Sequence, residues 1–273
     1  MSTGRAASYR LLAVTASIPP MVAFDLDDTL APSKTRLPEP MAETLARLLE
    51  ATQVCVISGG QFGQFRSQVV EPLDEVGSAR MDRLHLMPAC GTQYYRLVDG
   101  RWDRIYLEAL TDDEKSRATE ALEGCARRLG LWEEHTWGPT MEDRESQITF
   151  SALGQEAPVP AKRAWDPTGE KKLRLRAAVA ELLPDLEVRA GGSTSVDITR
   201  VGRDKSFGIG ELLTKTGLNR EDLLFFGDRL DVNGNDYPVK AMGVPCVSVT
   251  GWQDTVEKLD ALLSDGTGLH QSA

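Results

Sequence analysis

No two of the four cysteines are near neighbours: Cys55, Cys90, Cys125 and Cys246 are scattered along the 273 residues and form no Cys-x-x-Cys pair. That spacing argues against a zinc clip or a disulfide framework and reads as small buried thiols in a reducing compartment. No apolar run approaches membrane-spanning length. Positive charge is in deficit, since 31 Lys and Arg against 41 Asp and Glu give a formal net charge of -10 and a pI near 4.9. Electrostatic attraction to nucleic acid or to an anionic membrane is therefore not expected. Acidic residues are missing from the first two dozen positions, which hold Arg5 and Arg10 and the apolar stretch 11–18. Thr15 and Ser17 interrupt that stretch, Pro19-Pro20 follow it, and the next segment is needed as the first core strand. A ragged N-terminal extension is expected, with an organelle-targeting peptide as the lesser alternative, on a cytoplasmic protein.

What remains is ordinary for a globular chain, with 41% hydrophobic and 26% charged residues and enough length for a large domain with an insertion or for two domains. The organising stretch is Val22-Ala23-Phe24-Asp25-Leu26-Asp27-Asp28-Thr29-Leu30. Three apolar residues predict a buried strand that stops at acidic residues, before Ala31-Pro32 opens a loop. Asp25 and Asp27 are two apart, so strand alternation sends both carboxylates to one side. Two such charges at the mouth of an apolar sheet are costly without a cation or a proton, and a hard divalent cation, Mg²⁺, is the natural partner.

Downstream, Pro38-Glu39-Pro40 starts a helix whose apolar face is Met41, Leu45, Leu48 and Leu49. A second strand over Gln53–Ile57 ends in Ser58-Gly59-Gly60, followed by a helix over 61–70. This β-α-β-α start predicts a parallel sheet with ligands at the carboxyl ends of its strands. Ser58 and the amides after it, at the mouth of a helix, suit a phosphate oxygen.

The pattern changes between about 92 and 189. Strands over 94–98 and 102–107 flank Asp99-Gly100 as a hairpin, and Thr111 with Asp112-Asp113-Glu114 opens a long helix. A short strand over 147–152, a basic helix over 168–183 and a strand over 186–189 follow, with a proline-rich loop at 158–167 read as mobile or lying on the surface. Antiparallel strands and helices set inside a parallel fold predict an inserted α+β cap over 92–189, leaving 1–91 and 190–273 as the core. Residues 140–176 carry seven Lys and Arg against six Asp and Glu, a cationic enrichment for this chain. Arg144 and Arg163 are singled out as phosphate contacts, because a guanidinium fork fits phosphate.

The parallel pattern is expected to resume at Gly191–Ile198, and Lys205 stands at the start of the helix after it. The apolar strand over 223–226 then runs into Gly227-Asp228 and on to Asn235-Asp236, whose acids and amides make good sense as oxygen ligands and outer acceptors for Mg²⁺.

Asp25-x-Asp27-x-Thr29, Ser58, Lys205 and Gly227-Asp228 with Asn235-Asp236, in that order at strand ends, resemble the four motifs of the haloacid dehalogenase superfamily. Gly191-Gly192-x-x-Ser195-x-Asp197 and Phe225-Phe226-Gly227-Asp228 are similar to its subfamily IIB, the eukaryotic-type phosphomannomutases and related sugar phosphatases. The resemblance implies a Rossmann-like α/β core with an α+β cap, Asp25 as nucleophile and Asp27 as general acid and base. It also implies Mg²⁺ on Asp25, the Asp27 carbonyl and Asp228, with Asn235 and Asp236 behind them. Ser58, Gly59 and Lys205 would hold the phosphoryl group, and Ser195 and Asp197 the substrate. The family's cap arginine after a Ser-Pro is Gln155 here, which weakens the grip on a second phosphate. The expectation is an Mg²⁺-dependent phosphatase or phosphotransferase on a phosphosugar or similar small metabolite, with phosphomannomutase as the alternative and a silent ligand-binding fold as the remote one. A monomer or a cap-mediated homodimer is expected.

Overall fold

In the computed structural model the described residues are 18–191 and 194–267, so the N-terminal extension and Gly192 of the glycine motif lie outside them. The chain runs β1 (Met21–Phe24), α1 (Glu39–Ala51), β2 (Gln53–Ile57) and α2 (Phe62–Phe65). A π-turn (Arg66–Val70) carries α2 into α3 (Glu71–Val76), followed by β3 (Leu84–Met87), the short α4 (Pro88–Gly91) and the hairpin of β4 (Gln93–Val98) and β5 (Arg101–Leu107). Next come α5 (Asp112–Arg128), β6 (Met141–Asp143), β7 (Ile148–Ser151), α6 (Val159–Trp165), α7 (Glu170–Leu182), β8 (Leu186–Ala190) and β9 (Ser195–Arg200). After them stand α8 (Lys205–Thr216), β10 (Leu223–Gly227), α9 (Tyr237–Ala241), β11 (Cys246–Ser248) and α10 (Trp252–Thr267).

The larger sheet has the order β11-β10-β1-β2-β3-β4-β5, parallel as far as β3 and antiparallel beyond it. The residues of β1 alternate between two cores. Val22 and Phe24 pack with α1 and with Phe65, Leu73 and Leu259, while Met21 and Ala23 pack with Ile209 and Leu212 of α8 and Val239 of α9. A strand buried on both faces must be apolar at every position, which is why this one reads as a continuous run. The smaller sheet, β6-β7-β9-β8, is antiparallel. Its Ile148, Phe150, Val188, Val196 and Ile198 form a third core with α5 and α7. The positions alternating with these on β7 and β9 are polar. α5 starts at a reciprocal cap, with Glu114 N–H donating to Thr111 Oγ1 at 3.2 Å and Thr111 N–H to Glu114 Oε2 at 2.6 Å.

Sheet membership departs from the expected boundaries at both edges. The hairpin of β4 and β5 extends the core sheet instead of the cap, because β4 pairs with β3 through His85 and Leu86. β9, expected to resume the parallel pattern, runs antiparallel between β7 and β8 in the cap sheet. The proline-rich stretch is helical: Pro158 and Pro160 sit at the start of α6, where the missing N–H groups cost nothing, and Trp165 is buried. The helix expected over 61–70 continues to Val76 through the π-turn.

Candidate active site

Register places the motif residues on one edge of the sheet. Phe24 pairs with Val56 on one side and Phe226 on the other, and Asp25 N–H donates to Phe226 O at 3.0 Å. Asp25, Ser58 and Asp228 therefore leave neighbouring strands at the same carboxyl edge. Lys205 arrives from the side as the first residue of α8, whose N-terminal amides are capped by Asp204 Oδ1, accepting from Ser206 at 2.9 Å and Phe207 at 3.3 Å.

These residues meet. Lys205 Nζ lies 2.5 Å from Asp25 Oδ1 and 2.6 Å from Asp236 Oδ1, with all three side chains buried. Carboxylate oxygens of Asp25, Asp228 and Asp236 lie within 4.8 Å of one another. Three carboxylates facing one ammonium leave an excess of negative charge in a dry place, which is the donor set a hard cation takes. Burial raises the Asp25 carboxyl to about 7, with Asp236 adding to the effect and Lys205 opposing it. Burial also raises Asp228. Burial alone would depress the Lys205 ammonium, but Asp25 and Asp236 outweigh it and hold it above its ordinary value. Asp236, expected behind the metal ligands, stands within the carboxylate cluster, and its Oδ2 accepts from Arg229 N–H at 3.1 Å. Only glycine fits at 227, since a Cβ there would come 2.5 Å from Asp236 Oδ2.

Asp27 is half-buried and outside the cluster, its Oδ1 accepting from Lys34 N–H at 2.6 Å. Asn235 is exposed. Ser58 is buried, and Gly60 N–H donates to its Oγ at 3.4 Å. The turn of α4 seals this loop, with Cys90 N–H on Ser58 O and Ala89 N–H on Gly60 O, both at 2.9 Å. Ala89 and Cys90 adopt left-handed backbone (φ 48° and 57°), a conformation that costs non-glycine residues on the order of 1 kcal/mol or more each.

Across the cleft, the polar face of the cap sheet presents Thr149, Ser151, Ser195 and Asp197. Thr149 Oγ1 donates to Asp197 Oδ1 at 2.8 Å, and the Ser151 and Ser195 hydroxyls are 2.9 Å apart. Burial raises Asp197, and the charges of Arg144 and Lys34 oppose it. Of the two arginines singled out from sequence, Arg144 is nearly buried and engaged by Glu142 and Gly59 O. Arg163 is exposed. Its neighbour Lys162 donates to Gln155 O at 3.0 Å; burial and then the exposed Lys34 of the core lower its pKa. Lys34 and Lys162 went unmarked in the sequence. The only signal was the polar position of Lys34 just after the first motif.

Comparison with known proteins agrees with this architecture. Residues 136–265 match the family model described as eukaryotic phosphomannomutase. The chain is 25% identical over 226 residues to the phosphomannomutase of Saccharomyces cerevisiae, covering 80% of this chain and 84% of that one. It is 24% identical over 247 residues to the phosphomannomutase of Encephalitozoon cuniculi, covering 88% and 92%. Among solved structures, ATP-bound Plasmodium falciparum IMP-nucleotidase superposes with TM-score 0.71 at 14% identity, over 93% of this chain and 62% of that one. A haloacid dehalogenase-like hydrolase from Bacteroides thetaiotaomicron superposes with TM-score 0.61 at 15% identity, over 90% and 100%. Motif order, strand-end placement and these likenesses make the chain similar in sequence to eukaryotic phosphomannomutases and similar in fold to haloacid dehalogenase-like hydrolases.

Proposed function

We propose that the protein is a phosphatase acting on a phosphosugar or similar small phosphometabolite through an aspartyl-phosphate. The observation that carries this reading is Lys205 Nζ held between Asp25 and Asp236 at 2.5 and 2.6 Å, beside Ser58 and Asp228. Asp25 attacks phosphorus, forming an O–P bond as the bond to the leaving oxygen breaks, and Asp27 gives its proton to that oxygen. Asp27 then takes a proton from water, which attacks the aspartyl-phosphate and releases inorganic phosphate with Asp25 regenerated. The Ser58 hydroxyl, the Gly59 and Gly60 amides and the Lys205 ammonium face the non-bridging oxygens, where charge must be offset in the transition state. Asp25, Asp228 and the Asp27 carbonyl would hold Mg²⁺, which supplies further charge neutralisation when bound.

Ser195 and Asp197, on the cap's polar face, would hydrogen-bond the hydroxyls of the leaving group. We place the working division between core and cap at the sheets themselves, with β6 to β9, α5, α6 and α7 as the cap. Lys162 favours phosphomannomutase activity as a second reading, since a half-buried ammonium on the cap, lowered by burial and then by the exposed Lys34, suits a second anionic group.

A phosphoester panel run with and without Mg²⁺ tests the first reading. Phosphate release should depend on the cation and disappear in Asp25→Asn, and turnover surviving that substitution overturns it. A sugar 1-phosphate assay with catalytic sugar bisphosphate separates the second reading: isomerisation outpacing phosphate release would replace phosphatase with mutase.

A further inference from the structure

We infer that Arg144 is a positioning residue for the phosphate-binding loop, a strut that fixes the orientation of the Gly59–Gly60 peptide, rather than a ligand of substrate phosphate. This rests on the phosphoryl-transfer reading above only in taking that loop as the phosphate site.

The guanidinium is already committed. Its Nε and Nη2 donate to Glu142 Oε2 at 2.9 and 2.6 Å, and Nη1 donates to Gly59 O at 2.8 Å. Glu142 is itself held from the core, its Oε1 accepting from Gln61 Nε2 at 2.5 Å. The side chain of Arg144 is only 9% exposed, so a phosphate would have to displace a carboxylate to reach the fork.

The base of the arginine does not swing freely either. The β6–β7 turn that carries it is fastened to the core sheet by Gln93 Nε2 on Arg144 O at 2.8 Å and Thr92 Oγ1 on Ser146 Oγ at 2.7 Å. Leu110 N–H on Glu145 O at 2.9 Å adds a third tie, at a residue in left-handed backbone (φ 66°).

The consequence follows from the planar trans peptide, whose C=O and N–H point opposite ways. With Gly59 O turned to Arg144, the Gly60 N–H of the same peptide is turned toward the Ser58 hydroxyl and the phosphate side. Two consecutive glycines have little conformational preference of their own, so an outside hold is needed to fix that amide. Released from Arg144, the loop loses one aimed donor.

Inorganic phosphate makes the test clean, because it fills the loop without reaching the cap. Phosphate is titrated calorimetrically into the full chain with Mg²⁺, for the unaltered protein, Arg144→Ala, Arg144→Lys, Glu142→Gln and Glu142→Gln/Arg144→Ala. Arg144→Ala should weaken phosphate binding by about five- to tenfold and Glu142→Gln by less in the same direction, and Arg144→Lys should recover most of the loss. The double variant should be no weaker than Arg144→Ala alone. Unchanged phosphate affinity in Arg144→Ala, with a raised KM for a phosphoester, would make Arg144 a substrate ligand and overturn the inference. Multiplying losses in the double variant, or no phosphate binding by the unaltered protein, would also overturn it. If Arg144→Ala does not fold, as judged by circular dichroism, Glu142→Gln and Arg144→Lys carry the same comparison. Binding needs no turnover, so a protein that hydrolyses no phosphoester yet shows this pattern fails the proposed function and keeps the strut.

Discussion

His85 should make the fold acid-sensitive. It lies on β3, fully buried, with Nδ1 2.8 Å from the Tyr94 hydroxyl and Nε2 2.9 Å from Gln53 Oε1. Neutral imidazole satisfies both contacts, donating from Nε2 to the Gln53 oxygen and accepting at Nδ1 from the tyrosine. No hydrogen bond or ion pair joins the ring to a carboxylate among the described residues, and the Arg96 guanidinium lies 3.4 Å from Nδ1. Burial, then Arg96, lowers its pKa from 6.5 to about 3. Between those values the unfolded chain takes up a proton that the folded chain refuses, so this contribution is complete above pH 6.5 and lost as pH falls toward 3. At 1.36 kcal/mol per pH unit, the loss is about 2 kcal/mol at pH 5 and about 3 kcal/mol at pH 4. Asp25, Asp197 and Asp228, whose carboxyls are raised, contribute with the opposite sign. The comparison must therefore be a difference. Urea unfolding of the unaltered protein and of His85→Gln at pH 7.5 and 5.0 should show the stability gap between them narrowing by about 2 kcal/mol at the lower pH. A gap that stays constant would refute the reasoning.

Two glycines of α8 should respond to alanine in opposite senses. At Gly208 a Cβ would meet Cys90 O and Gly91 Cα at 2.8 Å, so Gly208→Ala should cost about 1–3 kcal/mol in chemical denaturation, whereas Gly210, with open space around it, should gain about 0.5–1 kcal/mol from better helix propensity. Lys162→Gln should raise the KM for a sugar bisphosphate by about tenfold while leaving that for a monophosphate within about threefold, measured by phosphate release.

The legible parts of the fold were those where local physics acts alone. β1, β10 and β2 after Gln53 pack on both faces and so are apolar, and Thr111 with Glu114 announces the start of α5. β3 was not legible, because its four residues include a histidine that only a tertiary network neutralises. Sheet membership of the β4–β5 hairpin was beyond reach for another reason. Alternation reports a strand with one open face and says nothing about which edge receives it. β9 did carry a usable signal. Ser195, Asp197 and Thr199 alternate with Val196 and Ile198, the pattern of a half-open antiparallel strand rather than of the doubly buried strand that a parallel core demands.

The site divides the same way. Asp25, Ser58 and Asp228 could be found because strand ends fix them, and Lys205 because it opens a helix, whereas the cap cations depend on helix phase and on the facing core. Lys162 and Arg163 are adjacent and differ by roughly 100° around α6, so composition could not choose between them, and the structure turns the lysine to the cleft.

That choice bears on how an acidic chain handles phosphate at all. Of the seven cations in 140–176, Arg144 is taken by Glu142 and Gly59 O, Arg176 donates to Val188 O, Lys171 lies 4.7 Å over the Trp165 ring, and Arg163 is exposed. Lys172 is half-buried, Arg174 is exposed, and Lys162 donates to Gln155 O at 3.0 Å. Burial and then the exposed Lys34 lower Lys162, so an anion beside its ammonium would be stabilising. The core site offers three carboxylates and one ammonium, and the cap brings Lys162 toward Lys34, an exposed residue of the core. On the second reading proposed above Lys162 would meet a second anionic group, and the Lys162→Gln comparison measures that directly.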